Sequence, residues 1–280
     1  MDSWRSGDVE ANGIRLHYTR TGGSKPPVVL AHGITDDGLC WTPVAEALAS
    51  EYDVIMVDAR GHGRSDAPAN GYDLTTLAAD LAGVITALGL KRPAILGHSM
   101  GAGTTLVLAG TFPELPQAIL LEDPPGWWMA AADAPGAAAR QAQMREWIAG
   151  LKRKTAAELI AEQRAAAPGW SEAELVPWAA AKLRVSPNIL GIFSPPRASV
   201  DWPATLRRIR CPAQLITGDP AQGAILTEEG VAALQALVPQ VRVAHIAGAG
   251  HSIRRDQFER YIDVVRTFLR DELGLHRNAA

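Results

Sequence analysis

Short apolar segments alternate along the chain with longer stretches whose apolar residues repeat at helical spacing. Each short segment is rich in Val, Ile and Leu and is closed by Gly, Asp or Pro; the segments are PPVVLAHG (26–33), DVIMVD (53–58), PAILGH (93–98), QAILLED (117–123) and AQLITGD (213–219). Such runs are typical of strands that are buried on both faces, as in a parallel sheet. The stretch from Leu74 to Leu90 carries its apolar side chains along one stripe and predicts a helix. The alternation therefore predicts an α/β fold with a doubly wound, mostly parallel sheet.

This alternation stops between about residues 125 and 205, where no segment favours a strand. Residues 136–167 form a long Ala-rich helical pattern. A second helical pattern follows, and Ser171 and Glu174 fit a capping box at its start. We therefore expect helices to replace strands throughout this stretch.

The helical stretch is also where most of the aromatic side chains are found. Six of the eight tryptophans fall in it: Trp127, Trp128, Trp147, Trp170, Trp178 and Trp202. Strand and helix order then resumes at Cys211. We predict a helical cap at residues 126–205, inserted into one core that is formed by residues 1–125 and 206–280.

Charge and cysteine content narrow the classes of partner and compartment. A net charge of −3 argues against a nucleic-acid partner or an anionic membrane surface. The two cysteines, Cys40 and Cys211, do not form a disulfide framework, and we expect both to be free thiols. The polar N-terminus lacks the apolar region of a signal peptide, and no apolar run approaches the roughly 18 residues of a membrane span. We expect a cytoplasmic monomer or homodimer.

The segment GHSMG (97–101) matches G-x-S-x-G and lies directly between a strand pattern and a helical pattern. In this context Ser99 occupies a sharp strand-to-helix turn that lifts its hydroxyl above the sheet edge. The turn is crowded, and Gly97 and Gly101 supply the small flanking residues that it needs. The helix that follows places partial positive charge where an oxyanion would form. The pattern predicts that Ser99 is a nucleophile.

Further motifs carry a resemblance to the α/β-hydrolase superfamily from about Val9 to Arg270. They are LAHGITDDG (30–38), similar to the family's oxyanion loop, DARGHGRSDAP (58–68), similar to its strand-4 loop, and GAGHSIRRDQF (248–258), similar to the loop that carries its histidine. The resemblance implies the fold of that superfamily, a mostly parallel doubly wound sheet with an inserted α-helical cap. It also implies that His251 is the general base and that the amides of Ile34 and Met100 form the oxyanion hole.

The acid of the catalytic triad is harder to assign. Most relatives place it after the seventh strand in a G-x-x-D turn, but here that turn reads GDPAQGA (218–224), with Ala221 in the position of the acid. Asp219 lies too close to the strand. A minority of relatives place the acid at the end of the sixth strand, which reads LLEDPP in this chain. The usual position is therefore empty and the rarer one holds two carboxylates.

Glu122 and Asp123 are adjacent on that strand, so their side chains point to opposite faces and only one can reach the imidazole. Asp123 follows Ser99 by 24 residues (123 − 99 = 24), which matches the spacing in relatives with a sixth-strand acid. We predict that Asp123 is the acid, with Glu122 and Asp219 as the alternatives.

A serine activated by histidine suits acyl transfer to water. Trp127, Trp128 and Phe193 are expected to line an apolar pocket for a small or medium acyl chain. We therefore expect a hydrolase of carboxylic esters or lactones, N-acyl homoserine lactones among them. No metal cluster, phosphate loop or dinucleotide fingerprint occurs, so no metal and no cofactor are predicted. The alternatives are a carbon–carbon bond hydrolase, a cofactor-free perhydrolase and a small-lactone receptor on the same fold.

Overall fold

The computed structural model of the chain describes residues 4–129, 137–193 and 200–274. Within them, eight strands form one sheet: β1 (Arg5–Ala11), β2 (Ile14–Arg20), β3 (Pro27–Ala31), β4 (Asp53–Val57), β5 (Ala94–His98), β6 (Ala118–Glu122), β7 (Ala213–Thr217) and β8 (Val241–His245). Their order across the sheet is β1-β2-β4-β3-β5-β6-β7-β8. All pairs from β4 to β8 are parallel, while β1 pairs antiparallel with β2 and β2 with β4. The predicted α/β fold with a mostly parallel sheet is confirmed.

The pairing of β5 with β6 aligns the two strand ends that matter for chemistry. His98 lies opposite Glu122 in this parallel ladder. The next residues along the chain, Ser99 and Asp123, therefore leave the sheet side by side at its carboxyl edge. Open parallel sheets place their ligand sites at that edge.

The N-terminal hairpin of β1 and β2 has no counterpart among the predicted strands. Its residues are partly exposed and do not form an apolar run. The turn does carry a signal, because Asn12 and Gly13 both adopt positive φ, at 50° and 76°. Asn-Gly is the sequence that a two-residue hairpin turn favours. This dipeptide would have located the hairpin.

Helices cover both faces of the sheet and the stretch after β6. They are α1 (Thr42–Leu48), α2 (Leu74–Ala87), α3 (Met100–Thr111), α4 (Ala137–Lys152), α5 (Ala156–Ala166), α6 (Glu172–Arg184), α7 (Trp202–Leu206), α8 (Glu228–Leu237), α9 (Ile253–Asp256) and α10 (Phe258–Leu273). Consecutive β5 residues face opposite layers. Ile95 packs in the core with α2 and α3, and Leu96 packs in the core with α1 and α10. This explains why the strand is apolar without alternation.

The described residues between β6 and β7 contain helices and no strand, as the sequence indicates. The Ala-rich pattern is split into α4 and α5, because Thr155 begins a new helix with a capping box that it shares with Glu158. The capping box expected at Ser171 is absent, since its partner Glu174 instead accepts a hydrogen bond from Arg255 at 3.0 Å. The predicted cap also includes residues 130–136 and 194–199, which lie outside the described residues.

Two further expectations concern thiols and membranes. Cys40 and Cys211 are both buried as free thiols. Across the part of the chain that the structure describes, no helix combines the length and the apolar character that crossing a membrane requires.

Candidate active site

Ser99 stands on a strained turn between the end of β5 and the start of α3. Its backbone has φ 52° and ψ −115°, in a region that residues with a side chain rarely occupy. The neighbouring glycines permit this turn. A Cβ at Gly97 would lie 2.4 Å from the carbonyl oxygen of Gly101, and a Cβ at Gly101 would lie 2.1 Å from the carbonyl oxygen of Ala31. Only glycine fits at either position, and the strained turn between them holds this one hydroxyl at the sheet edge.

His251 lies between Ser99 and Asp123 and contacts both. Its Nε2 is 3.0 Å from Ser99 Oγ, and its Nδ1 is 2.7 Å from Asp123 Oδ2. Because an ionised carboxylate only accepts hydrogen bonds, Nδ1 carries the proton and Nε2 is left to accept the serine proton. The structure thus brings together the three residues that the sequence selected, in the geometry of a nucleophile, a base and an acid.

Asp123 is fully buried and is held by more than the imidazole. The amide N–H of Ile225 donates to its Oδ2 at 2.9 Å, and that of Leu226 donates to its Oδ1 at 3.0 Å. Its φ of 39° turns the chain sharply just after β6 ends. Together these contacts fix the orientation of the carboxylate.

Glu122, the first alternative acid, points away from His251. It accepts from the amide N–H of Arg254 at 3.0 Å, from the Arg254 guanidinium at 3.1 Å and from the Tyr261 hydroxyl at 3.2 Å. Burial raises the pKa of this carboxyl above its ordinary value, although the positive charge of Arg254 opposes that shift. Glu122 therefore anchors the residues that follow His251.

Asp219, the second alternative, is also engaged elsewhere. Its Oδ1 accepts from Nε2 of His245 at 2.8 Å, and its Oδ2 accepts from the amide N–H of Gly248 at 2.6 Å. These contacts fix the loop after β8 rather than the imidazole of His251. Of the three candidate acids, Asp123 is the one that contacts the base.

The amides expected to form the oxyanion hole both border the cavity next to Ser99. Ile34 and Met100 are cavity-lining residues. Neither amide N–H has an acceptor among the residues that the structure describes. Met100 is also the first residue of α3, where the partial positive charge of the helix adds to its donor. Two unoccupied backbone donors beside a nucleophile are what a developing oxyanion requires.

The cavity above Ser99 has a volume of about 710 Å³. Its apolar lining residues include Trp127, Met144, Trp147, Trp178, Phe193 and Ile225. Its polar lining residues include Thr35, Asp36, Gln163, Lys182, Ser252 and Arg255. Within the described ranges, no group of three or more His, Cys, Asp or Glu side chains is arranged to hold a metal ion.

Trp128 is the one predicted pocket residue that the structure places elsewhere. Trp127 and Phe193 line the cavity, but Trp128 is not among the described residues of its wall. The Trp128 ring is 8% exposed, packs edge-on against Trp202 with ring centroids 6.3 Å apart, and donates its indole N–H to the carbonyl of Gly230 at 3.0 Å. Adjacent residues in a 3-10 turn face different directions, and here Trp128 faces the core.

A buried ionic cluster, which the sequence did not indicate, includes three of the polar residues that line the cavity, Asp36, Lys182 and Arg255. We call it the Asp36 cluster; its members are Asp36, Glu122, Glu174, Lys182, Arg254 and Arg255. Although burial opposes ionisation, Arg255, Lys182 and Arg254 together hold the pKa of Asp36 well below its ordinary value. Its only signal in the sequence was the pair of consecutive arginines, Arg254 and Arg255, which the structure places in α9.

A second Ser–His–Asp array lies on the N-terminal hairpin. Ser6 Oγ is 2.9 Å from Nε2 of His17, and Nδ1 of His17 is 2.7 Å from Oδ1 of Asp8. These distances match those at Ser99, but Ser6 is an exposed strand residue without a strained backbone. The strained turn, the free amides and the cavity distinguish Ser99 from this array, which provides a matched control.

Comparison with known proteins agrees with this geometry. Residues 26–254 match the family described as the alpha/beta hydrolase fold. The N-formylmaleamate deformylase of Pseudomonas putida is 31% identical over 271 residues, covering 94% of this chain and 96% of its own. The crystal structure of the N-formylmaleamic acid deformylase of Pseudomonas putida S16 is 26% identical, covers 93% of this chain and 100% of its own, and has a TM-score of 0.76. An N-acyl homoserine lactone degrading enzyme shares the fold at 24% identity, with 94% and 100% coverage and a TM-score of 0.74.

Proposed function

Because this chain belongs to the α/β-hydrolase superfamily, we propose that it is a serine hydrolase that cleaves a carboxylic acyl bond through an acyl-enzyme. One observation carries the proposal. The hydrogen-bonded series Ser99–His251–Asp123 ends at a cavity that is also bordered by the free amides of Ile34 and Met100.

The proposed reaction has two halves that use the same groups. Ser99 Oγ attacks the substrate carbonyl while His251 Nε2 takes its proton, and the carbonyl oxygen becomes an oxyanion that accepts from Ile34 and Met100. The imidazolium, stabilised by Asp123, then protonates the leaving group. Water, deprotonated by His251, attacks the acyl-enzyme, and the acid product leaves as Ser99 recovers its proton.

The apolar residues that line the cavity support the proposal that the substrates are esters or lactones with a small to medium acyl chain, N-acyl homoserine lactones included. Trp127 and Phe193 supply flat apolar surface against which such a chain would pack. A carbon–carbon bond hydrolase and a perhydrolase would use the same serine and are the alternatives within this mechanism.

A second candidate is hydrolysis of an N-acyl amide bond in an acid-bearing substrate. The observation that favours it is the 31% identity, over nearly the whole chain, to an N-formylmaleamate deformylase. Amide and ester cleavage use the same triad and oxyanion donors. Among the polar residues that line the cavity, Gln163, Ser252 and Arg255 carry donors for a polar group of such a substrate.

A panel of substrates tests the proposal. Purified protein is offered p-nitrophenyl esters of graded acyl length, N-acyl homoserine lactones and N-formylmaleamic acid, with Ser99→Ala as the blank for each. Multiple turnovers on an ester or lactone support the first candidate, and turnover on N-formylmaleamic acid alone supports the second. A single turnover per protein molecule would instead favour the lactone-receptor alternative, since esterases typically complete many cycles per second.

We expect the cavity tryptophan and phenylalanine to control chain-length preference. Trp127→Ala and Phe193→Ala should shift the ratio of kcat/KM between short and long acyl esters, because one methylene in an apolar pocket is worth about 1–3 kcal/mol. Trp128→Ala is the matched control. It should cost about 3–5 kcal/mol of unfolding free energy as a buried large-to-small change, with the selectivity ratio unchanged. If all three variants keep the selectivity ratio of the parent protein, Trp127 and Phe193 do not contact the acyl chain.

A further inference from the structure

Three consecutive carbonyl groups of the oxyanion loop each lie within hydrogen-bond distance of a side-chain nitrogen. His32 Nδ1 donates to the carbonyl of Gly33 at 2.8 Å, and this tautomer is fixed because the amide of Ala59 donates to Nε2 at 3.0 Å. His62 Nε2 lies 2.7 Å from the carbonyl oxygen of Ile34. The third nitrogen, which contacts the carbonyl of Thr35, belongs to a lysine from a different part of the chain. The loop that presents the Ile34 amide is therefore restrained along its length.

That third donor is Lys182, on helix α6. Its Nζ donates to the carbonyl of Thr35 at 3.1 Å and to Oδ1 of Asp36 at 2.7 Å. The side chain is only 3% exposed. The ammonium also lies 4.9 Å from the centre of the Trp178 ring. A lysine this deeply buried needs its partners, so α6 and the oxyanion loop are joined firmly at this point.

The Asp36 cluster continues from this loop to the base and the acid. Asp36 Oδ2 accepts from Arg254 and from Arg255, each at 3.0 Å. These arginines follow His251 by three and four residues, and Arg254 binds Glu122, the neighbour of Asp123. One network of ion pairs therefore joins three parts of the site: the loop with the Ile34 amide, the loop with His251, and the strand that ends at Asp123. Helix α6 joins the same network through Lys182.

We propose that Lys182 is a positioning residue that holds the Ile34 amide where the tetrahedral oxyanion forms. The inference rests on the proposed function, since it needs an acyl-transfer reaction at Ser99. A backbone amide stabilises an oxyanion only when its N–H already points at the oxyanion's position. The Ile34 N–H shares a peptide plane with the Gly33 carbonyl, which His32 holds, and Lys182 holds the Thr35 carbonyl two peptide units further on, so the loop is fixed on both sides of Ile34. Lys182 does this without contacting the reacting atoms.

The test uses Lys182→Met, which keeps an unbranched apolar side chain and removes the charge and the donors. On a p-nitrophenyl ester, kcat should fall by about 10- to 100-fold, less than the 10²- to 10³-fold loss from deleting an oxyanion donor outright, while KM changes little. The affinity for phenylboronic acid, which forms a tetrahedral adduct on a reactive serine, should fall by a similar factor. Binding of benzoate, a trigonal carboxylate, should stay as in wild type.

Lys152→Met is the matched control, because Lys152 on α4 also donates to a backbone carbonyl, that of Leu183 at 3.0 Å, but it is exposed and its acceptor belongs to α6 rather than to the oxyanion loop. It should leave kcat and boronate affinity unchanged. Should Lys182→Met not fold, as judged by circular dichroism, Lys182→Gln removes the charge and keeps one donor, and a smaller loss in the same direction is expected.

Each remaining outcome decides against the inference in a distinct way. A folded Lys182 variant with wild-type kcat and boronate affinity overturns it. A rise in KM with weaker benzoate binding and unchanged boronate affinity means that Lys182 contacts substrate instead. A wild-type protein that hydrolyses neither the ester nor N-formylmaleamic acid and does not bind the boronate refutes the proposed function itself.

Discussion

Replacing Ser99 by alanine is expected to lower kcat by about 10⁶-fold on any ester that the wild-type protein hydrolyses, the scale of loss when a triad nucleophile is removed. Among the described residues, the Ser99 hydroxyl is the one hydrogen-bonded to the His251 ring, and it lies in the cavity that the two free amides border. The substitution deletes one oxygen at a strained position, so the fold should survive, and unfolding free energy should not fall. The measurement is kcat on one activated ester, with thermal unfolding followed in parallel.

Ser6→Ala is the control for this prediction. It removes a serine hydroxyl that also lies 2.9 Å from a histidine nitrogen, within the array that Asp8 completes. Activity should be retained because Ser6 lies on the exposed hairpin. If Ser99→Ala folds and keeps a tenth of the wild-type activity, the nucleophile has been assigned wrongly, and if Ser6→Ala is the inactive variant, the hairpin array is the reactive one.

Strands and helices that carry a local pattern of apolar residues could be predicted from the sequence. A strand buried on both faces must be apolar throughout, and β3 to β7 each show that pattern in the chain. The position of Asp123 beside Ser99 follows from the same information, because parallel neighbours of equal length end together. Because His98 pairs with Glu122, the residues that follow them, Ser99 and Asp123, are neighbours at the sheet edge although 24 residues separate them in the chain.

The Asp36 cluster could not be predicted in the same way. Lys182 lies 146 residues from Asp36 and Arg254 lies 218 residues from it. Nothing local distinguishes such a buried charge from a solvated one, because only the fold supplies its partners. The orientation of Trp128 was missed for a related reason: an aromatic side chain serves equally as core or as pocket wall until the packing around it is known.

Asp123→Asn is expected to lower kcat by about 10⁴-fold, the cost of leaving the histidine of a triad in the wrong tautomer. The carboxylate accepts three hydrogen bonds: Oδ2 from His251 Nδ1 and the amide of Ile225, and Oδ1 from the amide of Leu226. An asparagine has one oxygen and one NH₂ group in these places. In either orientation the NH₂ faces a donor, so the side chain cannot satisfy the site as the carboxylate does.

Each orientation of the substituted side chain predicts a measurable defect. With its NH₂ toward His251, the asparagine would favour an imidazole whose proton is on Nε2, which cannot accept the Ser99 proton. With its NH₂ toward Leu226, it would leave two opposed donors in a fully buried site, at about 1–3 kcal/mol of unfolding free energy.

Asp219→Asn is the matched control, because Asp219 is partly exposed and binds His245 and Gly248 rather than His251. We expect near wild-type kcat there and an intermediate loss in Glu122→Gln, which disturbs Arg254. If Asp219→Asn loses most of its kcat while Asp123→Asn keeps nearly wild-type kcat, the triad acid is Asp219, at the end of the seventh strand. The contact between Asp123 and His251 would then be structural.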